Sequence, residues 1–111
     1  MGEGVFAGCT SLTNITLPSG MEAIPGSAFI GCTALSSINL PEELMRIYEG
    51  AFAGCSALSS ITIPKSIRLI QRNTFAGWTA DQTIRVMGHK EKPKIWPENW
   101  MGGDATVVWD K

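Results

Sequence analysis

The sequence has few charged residues. They make up 17% of its 111 positions, and the net charge at neutral pH is only −1. Without a strong excess of positive charge, the chain has no electrostatic basis for binding nucleic acid or an anionic membrane surface. No apolar run is long enough for a spanning helix, and the N-terminus lacks the apolar stretch of a signal peptide. We therefore expect no nucleic-acid partner and no membrane insertion.

Residue patterns that carry catalysis or bind metals are also missing. His89 is the only histidine, and its polar surroundings, Gly88 to Lys92, predict a solvated loop residue rather than a general base. The sequence has no Gly-x-Ser-x-Gly elbow and no glycine-rich phosphate loop. No cysteines or histidines are paired at the spacing of a metal site. These absences predict a protein that is not an enzyme and that uses no cofactor and no metal.

The chain does contain an internal repeat of 23 residues. Its structural columns are the four phenylalanines (Phe6, Phe29, Phe52, Phe75) and a second set, Cys9, Cys32, Cys55 and Trp78, in which tryptophan takes the place of cysteine in the last copy. Isoleucines recur at the same interval, at Ile15, Ile38, Ile61 and Ile84. A unit this short cannot bury its apolar side chains alone, so successive units are expected to stack around a continuous core.

Within each unit the apolar period changes. Phe-x-x-Cys-x-x-Leu places apolar residues at i, i+3 and i+6, which predicts one or two helical turns. The following Leu-x-x-Ile-x-Ile alternates with period two, which predicts a short strand that a proline such as Pro64 ends. Copies of this strand run in the same direction about 4.8 Å apart, so the sheet is parallel. A second apolar pair, such as Ile67 and Ile70, returns the chain along the opposite side. The pattern predicts an α/β solenoid.

The segment Ala51 to Pro64, continued by Lys65 to Ile70, closely resembles the BspA-like class of leucine-rich repeats, and the resemblance covers roughly residues 4–87. It implies a right-handed leucine-rich-repeat superhelix with short parallel strands and short helical turns. A parallel β-helix is the alternative fold. The resemblance also implies a cell-surface or secreted protein that binds host or matrix proteins and promotes adhesion.

The period fails after Val86, which divides the chain into two predicted parts. Residues 1–87 form a repeat array of about three and a half units, and residues 88–111 form a C-terminal capping segment. The array opens in the middle of a unit, so we expect a fragment of a longer protein that exposes its first strand edge and self-associates through that end. Trp96, Trp100 and Trp109 are assigned to the cap, which resembles the capping segment of this family. The alternative is that Trp96 and Trp100 form a stacking platform for a sugar.

The three cysteines occupy one column, and three thiols cannot all pair within one chain. The column predicts small buried hydrophobic side chains. One disulfide between neighbouring copies and a metal site are the alternatives, and the metal site is disfavoured because Trp78 continues the column.

Polar residues repeat on the outward side of the predicted strands and supply the candidate binding surface. Its members are Ser36, Asn39, Ser59, Thr62, Gln82 and Arg85, with Tyr48 on the opposite side. Charge is uneven, with one basic and five acidic residues in 1–64 and eight basic and five acidic residues in 65–111. If this surface has no binding role, it is a solvated sheet face whose hydroxyl groups hydrogen-bond to one another. We predict a non-enzymatic protein–protein interaction module with an unidentified protein partner. The alternatives are a passive spacer of a longer surface protein and a glycan-binding module.

Overall fold

The computed structural model describes residues 4–110, which form a solenoid of parallel strands with about four coils. Eight short strands lie along two sides of the stack. The first side carries β1 (Asn14–Thr16), β3 (Ser37–Asn39), β5 (Ser60–Ile63), β7 (Thr83–Val86) and β8 (Thr106–Trp109). The second side carries β2 (Ala23–Ile24), β4 (Arg46–Ile47) and β6 (Leu69–Ile70). We call the outward surface of the first set the strand face and that of the second set the second face.

The strands that pair within the repeats run in parallel at an offset of one repeat. Ile15 lies opposite Ile38, and Ile61 lies opposite Ile84. In β5 the side chains of Ile61 and Ile63 are buried whereas those of Ser60 and Thr62 are exposed. This is the period-two alternation of a strand with one face in the core. The predicted in-register stacking is therefore confirmed.

The phenylalanines form a continuous stack through the interior. The ring centroids of Phe6, Phe29, Phe52 and Phe75 are separated by 5.4, 5.5 and 5.8 Å, and successive rings lie within 9° of parallel. Phe29, Phe52 and Phe75 are fully buried, whereas Phe6 in the first coil is half-buried. Because every coil has the same length, each ring packs against its own copies.

The segments predicted as short helical turns are not helical, and no helix occurs among residues 4–110. The α/β assignment and its helical turns are therefore not confirmed for the described residues, which are strands and turns. The physical reason lies in the hydrogen bonds and in one glycine column. The Phe29 N–H donates to Ala51 O of the next coil at 2.8 Å, and the Gly31 N–H donates to Ala53 O at 2.8 Å. Gly31 has φ of 73°, so the chain turns where a helix would continue. The right-handed sense of the superhelix stays a prediction.

Among the described residues, the first coil packs against another coil on one side. β1 pairs with β3, and within the described residues no other strand borders it. Ile15, Cys9 and Leu12 are half-buried, while their counterparts in the second and third coils are buried.

The segment after Val86 returns to the stack and bonds to the last coil. β8 pairs with β7 in parallel, with Val107 opposite Ile84. The Phe75 N–H donates to Met101 O at 2.8 Å. The bonds that the phenylalanine N–H groups of the earlier coils donate to the next coil therefore continue into this segment. Gly103 lies so close to the last turn that a Cβ there would stand 2.6 Å from Phe75 O. Only glycine lets the two backbones approach this far.

Candidate functional site on the strand face

The strand face is a row of short polar side chains interrupted by one arginine. Asn39, Thr62 and Arg85 are all exposed, and Thr62 is the register partner of Arg85. Ser36 and Ser59 are also exposed at the entrance to their strands. These side chains point outward because the alternate positions, such as Ile61, are held in the core. The face therefore offers hydroxyl, amide and guanidinium groups to a partner.

Gln82 does not belong to this exposed row. The prediction that it is part of the binding surface is wrong. It is only 5% exposed, and its amide Nε2 donates to Cys55 O at 2.9 Å and to Leu58 O at 2.8 Å. Its Oε1 accepts from the Thr79 N–H at 3.1 Å. A buried amide requires such partners, and here they tie the fourth coil to the third. Gln82 is a structural residue rather than part of a binding surface.

The hydrogen-bonded ladder on the strand face is interrupted at one junction, between β3 and β5. These strands are neighbours in the stack but belong to different sheets. The Ser36 N–H donates to Thr13 O and the Thr83 N–H donates to Ser59 O, both at 2.9 Å. Within residues 4–110 no backbone hydrogen bond joins residues 36–40 to residues 59–63. We call this interruption the seam.

The same junction is closed on its other two sides. The Phe29 turn donates to Ala51 O as described above, and on the second side Arg46 pairs with Leu69. The stack is thus bonded around the seam and open only at the strand face.

A groove of about 960 Å³ lies over the seam. Its walls include the hydroxyls of Ser37, Ser60 and Thr62. One end carries the carboxylates of Glu42 and Glu43 and the ammonium of Lys65, and all three residues are exposed. The groove therefore offers hydrogen-bonding groups and charge.

Tyr48 lies on the other side of the molecule. It is half-buried beside a smaller cavity of about 360 Å³, which Ser27, Glu49 and Gln71 also line. Polar groups there already bond to each other. The Glu49 N–H donates to Gln71 Oε1 at 3.1 Å, and Arg72 Nε forms an ion pair with Glu49 at 3.0 Å. Tyr48 is therefore separate from the strand-face residues.

The cysteine column is built into the core through hydrogen bonds. Cys32 Sγ lies 3.0 Å from Phe6 O, and Cys55 Sγ lies 3.1 Å from Phe29 O. In the last coil Trp78 Nε1 donates to Phe52 O at 2.9 Å and so makes the same bond with a different donor. All three cysteines are free thiols, of which Cys9 is half-buried and the other two are buried. Burial raises the pKa of the Cys55 thiol to about 12, to which the neighbouring Cys32 thiol adds, and burial also raises the pKa of Cys32.

We expect iodoacetamide to label one of the three thiols rapidly in the folded protein at pH 8, namely Cys9. The thiolate is the reacting species, and burial with a raised pKa suppresses both access and ionisation at Cys32 and Cys55. Mass spectrometry of a time course measures the order of labelling, and the same reaction in concentrated urea provides the control in which all three react. Equal native labelling rates at Cys9 and Cys55 would contradict this placement.

The tryptophans of the C-terminal segment pack inward. Trp96 is 1% and Trp100 is 5% exposed, and their ring centroids are 5.2 Å apart and tilted by 58°. Trp96 Nε1 donates to Arg68 O at 3.1 Å, and Trp109 packs half-buried against both rings. Neither buried ring can offer a face to a sugar, so the stacking platform predicted as an alternative is wrong.

His89 also differs from the prediction of a solvated side chain. It is half-buried and meets Trp96 edge-on, with ring centroids 5.9 Å apart. Among residues 4–110, no group of three or more histidine, cysteine, aspartate or glutamate side chains could hold a metal ion. The described chain also contains no helix with the length and apolar character needed to cross a membrane.

Comparisons with known proteins agree with the architecture. The sequence profile described as "BspA type Leucine rich repeat region (6 copies)" matches residues 1–92. A search of curated proteins finds no match. The solved leucine rich repeat protein of T. pallidum is similar, with a TM-score of 0.70 and 29% identity over 77% of this chain and 50% of that one. A leucine-rich repeat protein from Bacteroides ovatus gives 0.61 and 27% over 99% of this chain and 24% of that one.

The chain thus spans half the length of the T. pallidum protein and about a quarter of the Bacteroides protein. The family profile covers most of the sequence, and both structures carry the same repeat architecture, which favours the leucine-rich repeat over the parallel β-helix. The strand register, the stacked interior side chains and the comparisons all agree: this chain belongs to the BspA-type leucine-rich-repeat family.

Proposed function

We propose that the chain is a non-enzymatic protein-interaction module that binds its partner through the strand face. The observation that carries this proposal is the row of exposed polar side chains at one repeat position, Asn39, Thr62 and Arg85, of which Thr62 and Arg85 are register partners. Solenoids generally bind partners on such extended surfaces because the repeat presents equivalent side chains at regular intervals. Arginine is enriched among residues that dominate binding energy, so Arg85 is the expected anchor.

The family supports a finer proposal about context. BspA-type leucine-rich-repeat proteins are typically located at the cell surface or secreted. We propose that the chain is part of a longer cell-surface or secreted protein, that it contributes to adhesion to a host or matrix protein, and that residues 88–111 act as its C-terminal cap. Burial of Trp96 and Trp100 against the last coil supports the capping role.

Two exposed arginines on opposite faces provide a matched test. Arg85→Glu reverses a charge on the strand face, and Arg72→Glu makes the same reversal on the second face, where it removes only an exposed ion pair. The immobilised protein and both variants are incubated with an extracellular-matrix preparation, and bound proteins are quantified by mass spectrometry. Circular dichroism checks that each variant is folded.

We expect a specific partner that Arg72→Glu retains and Arg85→Glu loses by about fivefold or more, a typical loss for one arginine anchor. Equal retention by both variants would contradict binding through the strand face and would favour the passive spacer. Equal loss in both would indicate a nonspecific charge effect and would also contradict the proposal.

A further inference from the structure

The seam between β3 and β5 has features that the rest of the strand face lacks. It is the one junction within residues 4–110 at which neighbouring strands of this face belong to different sheets. Within the described residues no backbone hydrogen bond joins residues 36–40 to residues 59–63, whereas backbone bonds do join the strands at the other junctions of this face. Backbone donors and acceptors at such a site must be satisfied by water or by a ligand. The groove that covers the seam therefore holds both hydroxyl groups and backbone groups that the ladder leaves unpaired.

The shape of the groove suits an extended chain. Its two long walls are parallel strands whose outward side chains are short, namely Ser37 and Asn39 on one side and Ser60 and Thr62 on the other. Short side chains let another backbone approach closely. From Ser37 to Glu42 the groove follows six residues, the last of them in a turn, and the five steps between them span at most roughly 16 Å at about 3.3 Å per residue. A segment of five or six residues fits this length.

The charges select one class of side chain. Glu42 and Glu43 stand together at the end of the groove, and neither carboxylate forms an ion pair among the described residues. Lys65 lines the same groove, so its charged groups are two acids and one base. A basic side chain reaching Glu42 and Glu43 is favoured there, while an acidic one at the same position is repelled.

We propose that the seam binds an extended peptide segment of a partner protein, with its main chain along β3 and β5 and an arginine or lysine at Glu42 and Glu43. The proposal rests on the proposed function, which it deepens by naming the class of ligand. The hydroxyls and amide that line the groove bond the peptide main chain and give affinity, and one charged side chain gives selectivity.

The test uses two synthetic hexapeptides with blocked ends, Thr-Ser-Thr-Ser-Thr-Arg and the same sequence ending in glutamine. Each is titrated into the ¹⁵N-labelled protein, and Kd and the affected amides are read from NMR spectra. We expect the arginine peptide to bind about fivefold more tightly, since exposed charge pairs contribute up to about 1 kcal/mol. The largest shifts should fall in residues 36–40 and 59–63.

Variants separate the charge effect from general binding. Glu42→Gln combined with Glu43→Gln should remove the preference for arginine, whereas Glu22→Gln combined with Glu91→Gln, at exposed acidic positions outside the groove, should retain it. Equal affinity of both peptides at the seam would overturn the proposed ligand class while leaving the strand face as a binding surface. Shifts elsewhere, or no binding at millimolar peptide, would overturn the seam as a site. The proposed function is judged separately by the two arginine variants.

Discussion

Replacing Phe52 with alanine is expected to lower the free energy of unfolding by about 3–5 kcal/mol. The Phe52 ring is fully buried and lies between those of Phe29 and Phe75, at centroid distances of 5.5 and 5.8 Å. Removing it leaves a cavity in the middle of the stack and interrupts two aromatic contacts, each of which adds about 0.5–1.5 kcal/mol to simple burial. Urea unfolding followed by circular dichroism measures the effect.

The control for this prediction is Ile30→Ala. Ile30 follows Phe29 in the same turn of the neighbouring coil, but its side chain is 38% exposed, so we expect a loss below about 1 kcal/mol. Phe52→Leu provides an intermediate case that retains apolar volume, and it keeps the series interpretable if the alanine variant does not fold. A similar loss for Phe52→Ala and Ile30→Ala would contradict the continuous phenyl stack.

The interior ladders could be predicted from the sequence because a repeat of constant length fixes the position of every copy. The 23-residue spacing of Phe29 and Phe52 was enough to place their rings one above the other. The hydrogen bonds made by the side chains of a column could not be predicted from the spacing. Cysteine and Trp78 share one column, but only the structure shows that both donate to a phenylalanine carbonyl of the preceding coil.

Apolar spacing alone could not distinguish helical turns from tight turns. Positions i, i+3 and i+6 point to one side in a helix, but they also do so in a series of tight turns. The distinction depends on the backbone at Gly8, Gly31 and Gly54, where φ is positive and the N–H bonds to the next coil. Glycine permits this conformation without requiring it, so the sequence was compatible with both.

The errors on the surface have a similar cause. Gln82 was assigned outward because Ser36 and Ser59 occupy the same repeat position, but the last coil lacks a leucine at the preceding position, where Asp81 stands. The Gln82 amide turns inward and bonds carbonyls whose location only the fold reveals. The seam was equally hidden. β3 and β5 share the pattern Ser-Ile followed by a polar residue, so their local sequences give no reason for the ladder to stop between them.

Replacing Trp100 with alanine is expected to cost about 3–5 kcal/mol locally, in the last coil and the segment packed on it. Trp100 is 5% exposed, and its ring forms a T-shaped pair with Phe75 at a centroid distance of 6.0 Å. Its removal uncovers the end of the phenyl stack and loosens Trp96, whose ring lies 5.2 Å away. Because each coil of a solenoid contacts only its neighbours, the damage should decline with distance from that end.

Hydrogen exchange read by mass spectrometry distinguishes this gradient from uniform destabilisation. In the Trp100→Ala variant, amides 73–78 and 99–104 should exchange faster, whereas amides 27–31, two coils away, should change much less. Phe52→Ala supplies the contrast, since a cavity in the middle of the stack should accelerate exchange in the coils on both sides. Ile95→Ala is the matched control within the same segment, because that side chain is 69% exposed and its loss should leave exchange unchanged. Equal acceleration of all coils in Trp100→Ala would mean that the solenoid unfolds as one unit, and the nearest-neighbour account of its stability would then be wrong.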